Sequence, residues 1–212
     1  METLQGNPGE KIALGKWEVK GYYPYVPFLG NSLETGNHLL GLTDWIPAQV
    51  PGCVHYDLWQ AGLIPDPYYG QNSLACEWVE NRWWLYRTRF DWRKTRGQQV
   101  YLQFKGLDHK AHIYLNQQLL GTHEGMFEPV EFDVTELLQD ADNELLVLFE
   151  HVPEVMPQIG YTSDSKVVKS QFAYKWDFCT RMVPTGIWEE ALLHVTGDAR
   201  IEETWLCSRL AG

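Results

Sequence analysis

Residues 100–121, VYLQFKGLDHKAHIYLNQQLLG, decide the fold. Val100–Phe104 and Ala111–Asn116 each alternate side chains with the two-residue period of a strand. Gly106 lies between them, so the two read as an antiparallel hairpin, and Gln117–Gly121 continues as a further extended step. Working outward, Val130–Val134 alternates Val, Phe, Val, and Thr135 is placed to cap a short turn through Leu137 and Leu138. After Asp142-Asn143 comes Glu144–His151, ELLVLFEH, with a fully apolar strand centre. Two more strands are expected at Ile187–Val195 and Ile201–Leu206, separated by Thr196-Gly197-Asp198. Only Tyr56–Ala61 and a turn near Glu136 read as helix, which excludes the alternating strand and helix units of a parallel sheet. The expectation is an all-β chain of at least eight strands: an antiparallel two-sheet β-sandwich, most simply a jelly roll, with residues 1–212 forming one domain. Pro24, Pro27, Pro47 and Pro51, with Gly30, Gly36 and Gly41 among them, make residues 21–52 irregular, so the lead-in covers about residues 1–52. Pro153–Lys169 reads as a second loop, and the chain has no internal repeat or low-complexity tract.

Composition narrows the function. The 212 residues are 44% hydrophobic and 14% aromatic, enough for one sizeable core, and they include ten Trp and eleven Tyr. Such side chains concentrate in β-sandwiches and wherever an apolar face must also offer a polar edge. A net charge of −11 argues against nucleic acid and anionic membrane as partners, since both require a basic surface. The start, METLQGNPGEKIALG, lacks a basic region followed by an apolar one, and no window approaches the ~18 apolar residues of a membrane span. Cys53, Cys76, Cys179 and Cys207 form no CxxC pair, so four thiols in a reducing cytoplasm are expected, although an even count also permits disulfides in an exported chain.

Chemistry concentrates in Ser170–Glu189, SQFAYKWDFCTRMVPTGIWE, where Asp177 sits between Trp176 and Phe178 and Arg181 follows. A sugar ring packs its C–H face on an aromatic ring, and neighbouring hydroxyls can both donate to one carboxylate. In an extended segment Trp176 and Phe178 share one side and Asp177 takes the other, so part of the motif must be packing. The competing reading makes the aromatics core and Asp177 a solvated or backbone-bonded carboxylate. Elsewhere there is no phosphate-binding glycine loop, GxSxG elbow or HExxH helix, and no metal or cofactor is expected. His109 and His112 lie at a turn and strand start, outside helical ligand geometry, and His55 reads as an anchor satisfying backbone groups. Lys166 and Lys169 read as solvated, and Trp188 as core. Glycoside hydrolysis needs two carboxylates about 5 to 9 Å apart. Glu189-Glu190 and Glu202-Glu203 are adjacent in expected strands and point to opposite faces, so this sequence offers no such pair.

Three segments resemble glycoside hydrolase family 2 beta-mannosidases. Between Val50 and Arg89 the chain carries VPGCVHYDL, GLIPDPYYG and WLYR in the order and spacing of that family's first domain. GLDHKAHIYLNQQLLGTHEGMF resembles its GLD-x-x-A-x-x-YLNG segment, and the KWDF…R…PTGIW run resembles its GWDWGPR…SGIW segment; the similarity covers about residues 40–205. The resemblance implies a galactose-binding-like sandwich that packs on a barrel and lends the loop Asp, here Asp177, to hydroxyls of a terminal mannoside. Trp176 matches the first Trp and Arg181 the Arg. Phe178 replaces the second Trp, while Lys175, Cys179 and Thr180 replace the glycines and adjoining residue. These departures leave a glucosaminide or aryl glycoside preference open, and Arg181 fits either a pair with Asp177, a pair with a barrel carboxylate, or a loop-anchoring ion pair. The family's catalytic glutamates lie in a downstream TIM barrel of about 250 residues, more than this chain contains. Three roles follow: the non-catalytic amino-terminal domain of an exo-acting, retaining beta-mannosidase with its own downstream Ig-like and barrel domains; a free-standing carbohydrate-binding module; or a purely structural domain that packs the barrel.

Overall fold

The computed structural model describes residues 1–22, 43–154, 166–175, 177, 179–201 and 204–209. Among them are eleven strands: β1 Glu2–Leu4, β2 Lys11–Ala13, β3 Trp17–Tyr22, β4 Ile46–Ala48, β5 Trp83–Trp92, β6 Gln99–Phe104, β7 Lys110–Leu115, β8 Gln118–Glu124, β9 Val130–Asp133, β10 Asn143–Phe149 and β11 Ala191–Thr196. They form two sheets. The larger runs β4-β3-β5-β10-β7-β8, with β1 parallel to the end of β5, and the smaller runs β2-β11-β6-β9. Every other pairing is antiparallel, giving the expected sandwich.

The core lies between the sheets, where Tyr86, Ile113, Leu145, Val147 and Phe149 of the larger sheet face Leu102, Phe104, Leu193 and Val195 of the smaller one. Each such side chain contributes roughly 1.5–3 kcal/mol through burial. The fully apolar centre of β10 has a second cause: Leu146 and Leu148 point outward, into a cluster with Tyr22, Leu85 and Tyr114. That strand is covered on both faces, which removes the alternation an exposed face imposes.

Several expectations are corrected. The segments around Gly106 do not form a hairpin, because β6 pairs with β11 and β9 while β7 pairs with β10 and β8; the connection crosses from one sheet to the other. The hairpin that does form is β7–β8, turned by Asn116 and Gln117 at φ 51 and 68, the two positive values a type I′ turn requires. The lead-in holds four strands; in β3, Trp17 and Val19 reach the core while Glu18 and Lys20 are only half-buried. No strand covers the described part of Ile201–Leu206, since β2 already occupies the edge of β11 that a hairpin would use. Residues 187–190 likewise precede the ladder, which begins at Ala191 opposite Phe104.

Two helices flank the sandwich, and a short 3-10 turn at Gln171–Tyr174 is the third helical element among the described residues. The α-helix is Val54–Gln60, starting two residues earlier than its sequence suggests. The other, Asn72–Asn81, is a 3-10 helix with Ser73, Cys76 and Val79 buried. Side chains three apart eclipse in that geometry, so these three form one narrow stripe, and Glu80 is buried beside it. No helix among the described residues is long and apolar enough to cross a membrane.

Candidate functional site

At one end of the sandwich five segments meet around Asp108. Its backbone exchanges two 2.9 Å hydrogen bonds with Gly186, and the Thr185 hydroxyl donates to its carbonyl at 2.8 Å. Gly52 and Val54 donate to Ile187 and Thr185, and Met126 donates to Val168. Gly186 is required here: its φ is +142, and a Cβ would stand 2.6 Å from the Tyr86 hydroxyl. Gly106 is needed for space, because its face lies against Trp188, whose indole N–H donates to Met126 at 2.8 Å. Trp188 is thus a half-buried bracket stacked edge-on to Phe127, rather than a core residue.

This junction carries the 169–184 loop. Lys169, expected to be solvated, is buried: its ammonium donates to an Asp108 carboxylate oxygen and, at 2.7 Å, to the carbonyl of Pro184. One side chain therefore joins both ends of the loop to the sandwich. Burial pushes the Asp108 carboxyl up and the Lys169 ammonium down, while their mutual attraction opposes both shifts. Further along, Met182 N–H donates to Ala173 O at 3.0 Å, and the Arg181 guanidinium donates to Tyr174 O at 3.1 Å. Lys175, Asp177, Cys179 and Thr180 are the described residues between these closures, at the tip of the loop.

Arg181 is held from below as well. Its second guanidinium nitrogen meets Glu80 at 2.5 Å, and the guanidinium lies 5.5 Å from the Tyr174 ring, whose hydroxyl donates to Pro153 O at 2.7 Å. The loop-anchoring pair is the role the geometry gives Arg181. Burial pushes Glu80 above the ordinary carboxylate range, and Arg181 pulls it back.

Asp177 lies on the tip and is exposed; Trp176 and Phe178 lie outside the described residues. Lys175 holds φ +110, ψ 132, a region natural to glycine, so the backbone retains a glycine-like turn where the sequence has lysine. His55 is not a backbone anchor through Nδ1, which is buried without a partner; burial and then the Lys169 charge depress its pKa to about 4. His112 pairs with Glu150 at 2.8 Å. Asp57 is buried too, accepting from Gln49 N–H at 2.9 Å and the Tyr86 hydroxyl at 3.3 Å, and burial raises its pKa to about 7.

Three open clefts of about 450, 330 and 260 Å3 lie near Asn116, Gln139 and Lys94, at the far end of β7 from Asp108. They contain none of the expected sugar-contacting residues.

Sequence reasoning missed Glu80, Asp108, Lys169 and Tyr174, which build the loop's mount. Pairing across 61 and 101 residues leaves no local spacing to read.

An antiparallel two-sheet sandwich of this kind is consistent with a galactose-binding-like scaffold. Residues 31–189 match the glycosyl hydrolase 2 galactose-binding domain-like family, and the chain belongs to it. It is 32% identical over 191 residues to "Beta-mannosidase" of Rattus norvegicus, covering 80% of this chain and 21% of that protein. To "Beta-mannosidase B" of Aspergillus terreus it is 33% identical over 205 residues, covering 87% and 24%. The solved Beta-D-Mannosidase of Dictyoglomus thermophilum superposes with a TM-score of 0.75 at 31% identity, over 96% of this chain and 24% of that one. The chain thus spans about a quarter or less of these relatives.

Proposed function

We propose that residues 1–212 are a single accessory domain of a retaining, exo-acting beta-mannosidase, non-catalytic alone, which supplies Asp177 to the pocket for a terminal beta-D-mannoside. Trp176, Phe178 and Arg181 complete the sugar-facing loop, and downstream Ig-like and barrel domains supply the catalytic carboxylates. One observation carries the reading: an exposed carboxylate sits at the tip of a loop closed three times at its base, in a chain whose relatives are beta-mannosidases. A surface loop without a task has no use for a buried lysine, or for a half-buried arginine tied to a buried glutamate. A reducing cytoplasm is the proposed compartment, which suits four free thiols.

The test is Asp177→Ala in the full-length protein, assayed on an aryl beta-mannoside. A charged hydrogen bond lost from the transition state costs roughly 2 kcal/mol, or about 30-fold in kcat/KM. A change under about twofold would assign the domain a packing role alone. Binding of mannose by this chain in isolation would instead favour a free-standing module, because a half-site binds feebly.

A further inference from the structure

We propose that Glu80 is a positioning residue for Asp177, acting through Arg181 without touching the sugar; this rests on the role of Asp177 proposed above. Arg181 and Tyr174 lie on either side of Asp177 in the loop, and the guanidinium of one donates to the carbonyl of the other. A single planar group thus closes the tip, and its orientation fixes where the tip points. That orientation is set from outside the loop, by a carboxylate 101 residues earlier in the chain.

The mount is rigid. Glu80 is 3% exposed and lies in the last turn of the 3-10 helix, whose Val79 is fully buried and accepts from the Trp84 indole at 3.0 Å. Its own carbonyl accepts from Val152 N–H at 3.1 Å, close to where Tyr174 is tied to Pro153. Glu80 Oε1 has no protein partner, so the carboxylate is committed to Arg181 through Oε2. A carboxylate buried at such cost and satisfied on one side only is a poor device for stability. Its geometry is that of a clamp: rigid core, carboxylate, guanidinium, then both ends of the loop that carries Asp177.

A double-mutant cycle in the full-length enzyme tests this, using kcat/KM on an aryl beta-mannoside. Glu80→Ala is expected to lower kcat/KM roughly 10- to 100-fold by displacing the tip about an ångström. In the Asp177→Ala background the same substitution should cost less than about threefold, because there is no longer a carboxylate to misplace. Glu80→Gln, which keeps the shape and one acceptor, runs the cycle again with a smaller loss of about threefold, and covers the case in which Glu80→Ala fails to fold. A structural role alone would give equal losses in both backgrounds, and that equality overturns the proposal, as does an unchanged kcat/KM in both Glu80 variants. If Asp177→Ala is itself neutral, the proposed function falls and this inference with it. An impaired Asp177→Ala with additive Glu80 effects sinks the inference alone.

Discussion

Replacing Lys169 by Met keeps the length of the side chain and removes its charge. In the native chain the Lys169 and Asp108 side chains are 0% and 1% exposed, so no water can take the ammonium's place. Asp108 Oδ2 already lacks a partner, and the substitution strips Oδ1 as well. Breaking one half of a buried pair costs about 3–5 kcal/mol, and the Pro184 carbonyl, orphaned by the same change, adds about 1–3 kcal/mol. The two losses share one ammonium, so roughly 4–6 kcal/mol is expected at pH 8. Asp108 can escape by taking up a proton. Burial already raises its pKa, and losing Lys169 removes the attraction that opposes this. A carboxyl with a raised folded pKa contributes stability below its unfolded value that is lost as pH rises through the folded one, so the penalty shrinks at pH 5. Urea unfolding followed by Trp fluorescence at both pH values measures it. With a slope near 2–3 kcal/mol/M, the midpoint should fall about 2 M at pH 8. Lys169→Met/Asp108→Asn, having no buried charge, should recover at least half the loss. A penalty under about 1 kcal/mol at pH 8, or a double variant no better than the single one, would refute the assignment of this stability to the ion pair.

The Asp177 and Glu80 measurements described above are joined by two on the site's surroundings. Asp57 titrates near 7 in the fold against an ordinary 3.8, so its contribution is complete below the ordinary value and lost as pH rises through about 7. Asp57→Asn should therefore raise stability over the native chain by roughly 2–4 kcal/mol at pH 8 and by almost nothing at pH 4, read by thermal unfolding; a larger gain at pH 4 contradicts the sign. Lys175→Gly relieves a backbone conformation worth about 1–3 kcal/mol of strain against about 0.4–1 kcal/mol of added chain entropy. The net should raise Tm by about 2–4 °C, and an unchanged or lower Tm would mean that the tip does not hold φ +110.

The sandwich was legible because its inward strands alternate: β6 reads as a strand from VYLQF alone, and β10 from an apolar run too short for a helix. Which strand pairs with which was not. Gly106 looks like a hairpin turn from its neighbours, yet partner choice is set by β9, β10 and β11, which lie up to 90 residues away. The short strands β1 and β2 carry little alternation, and their places were invisible until β5 and β11 offered edges. At the site, the motif around Asp177 was readable as a motif, with Lys175 standing where the resembled family has glycine; that Lys175 adopts φ +110 comes from the structure. The buried partners were not readable, because a lysine that will pair with Asp108 looks in sequence like any lysine beside two valines and a serine.

That asymmetry follows from what the buried charges do. If Lys169–Asp108 and Glu80–Arg181 were present for stability, apolar side chains of similar volume would serve at least as well, since burial penalises the charged forms of Lys169, Asp108 and Glu80. Apolar contacts, however, are non-directional and would let the loop settle in several registers. Each ionic contact accepts one partner in one orientation, and together they fix the exit of the loop at Pro184, its closure at Tyr174 and its tilt at Glu80. Stability and position are then separable. Lys169→Met/Asp108→Asn should restore most of the unfolding midpoint while the proposed beta-mannosidase kcat/KM of the full-length protein stays low, because the neutral pair fills the space without aiming the tip. Recovery of both together would mean that the charges serve only to hold the fold, and the case for a positioned Asp177 would lose its physical basis.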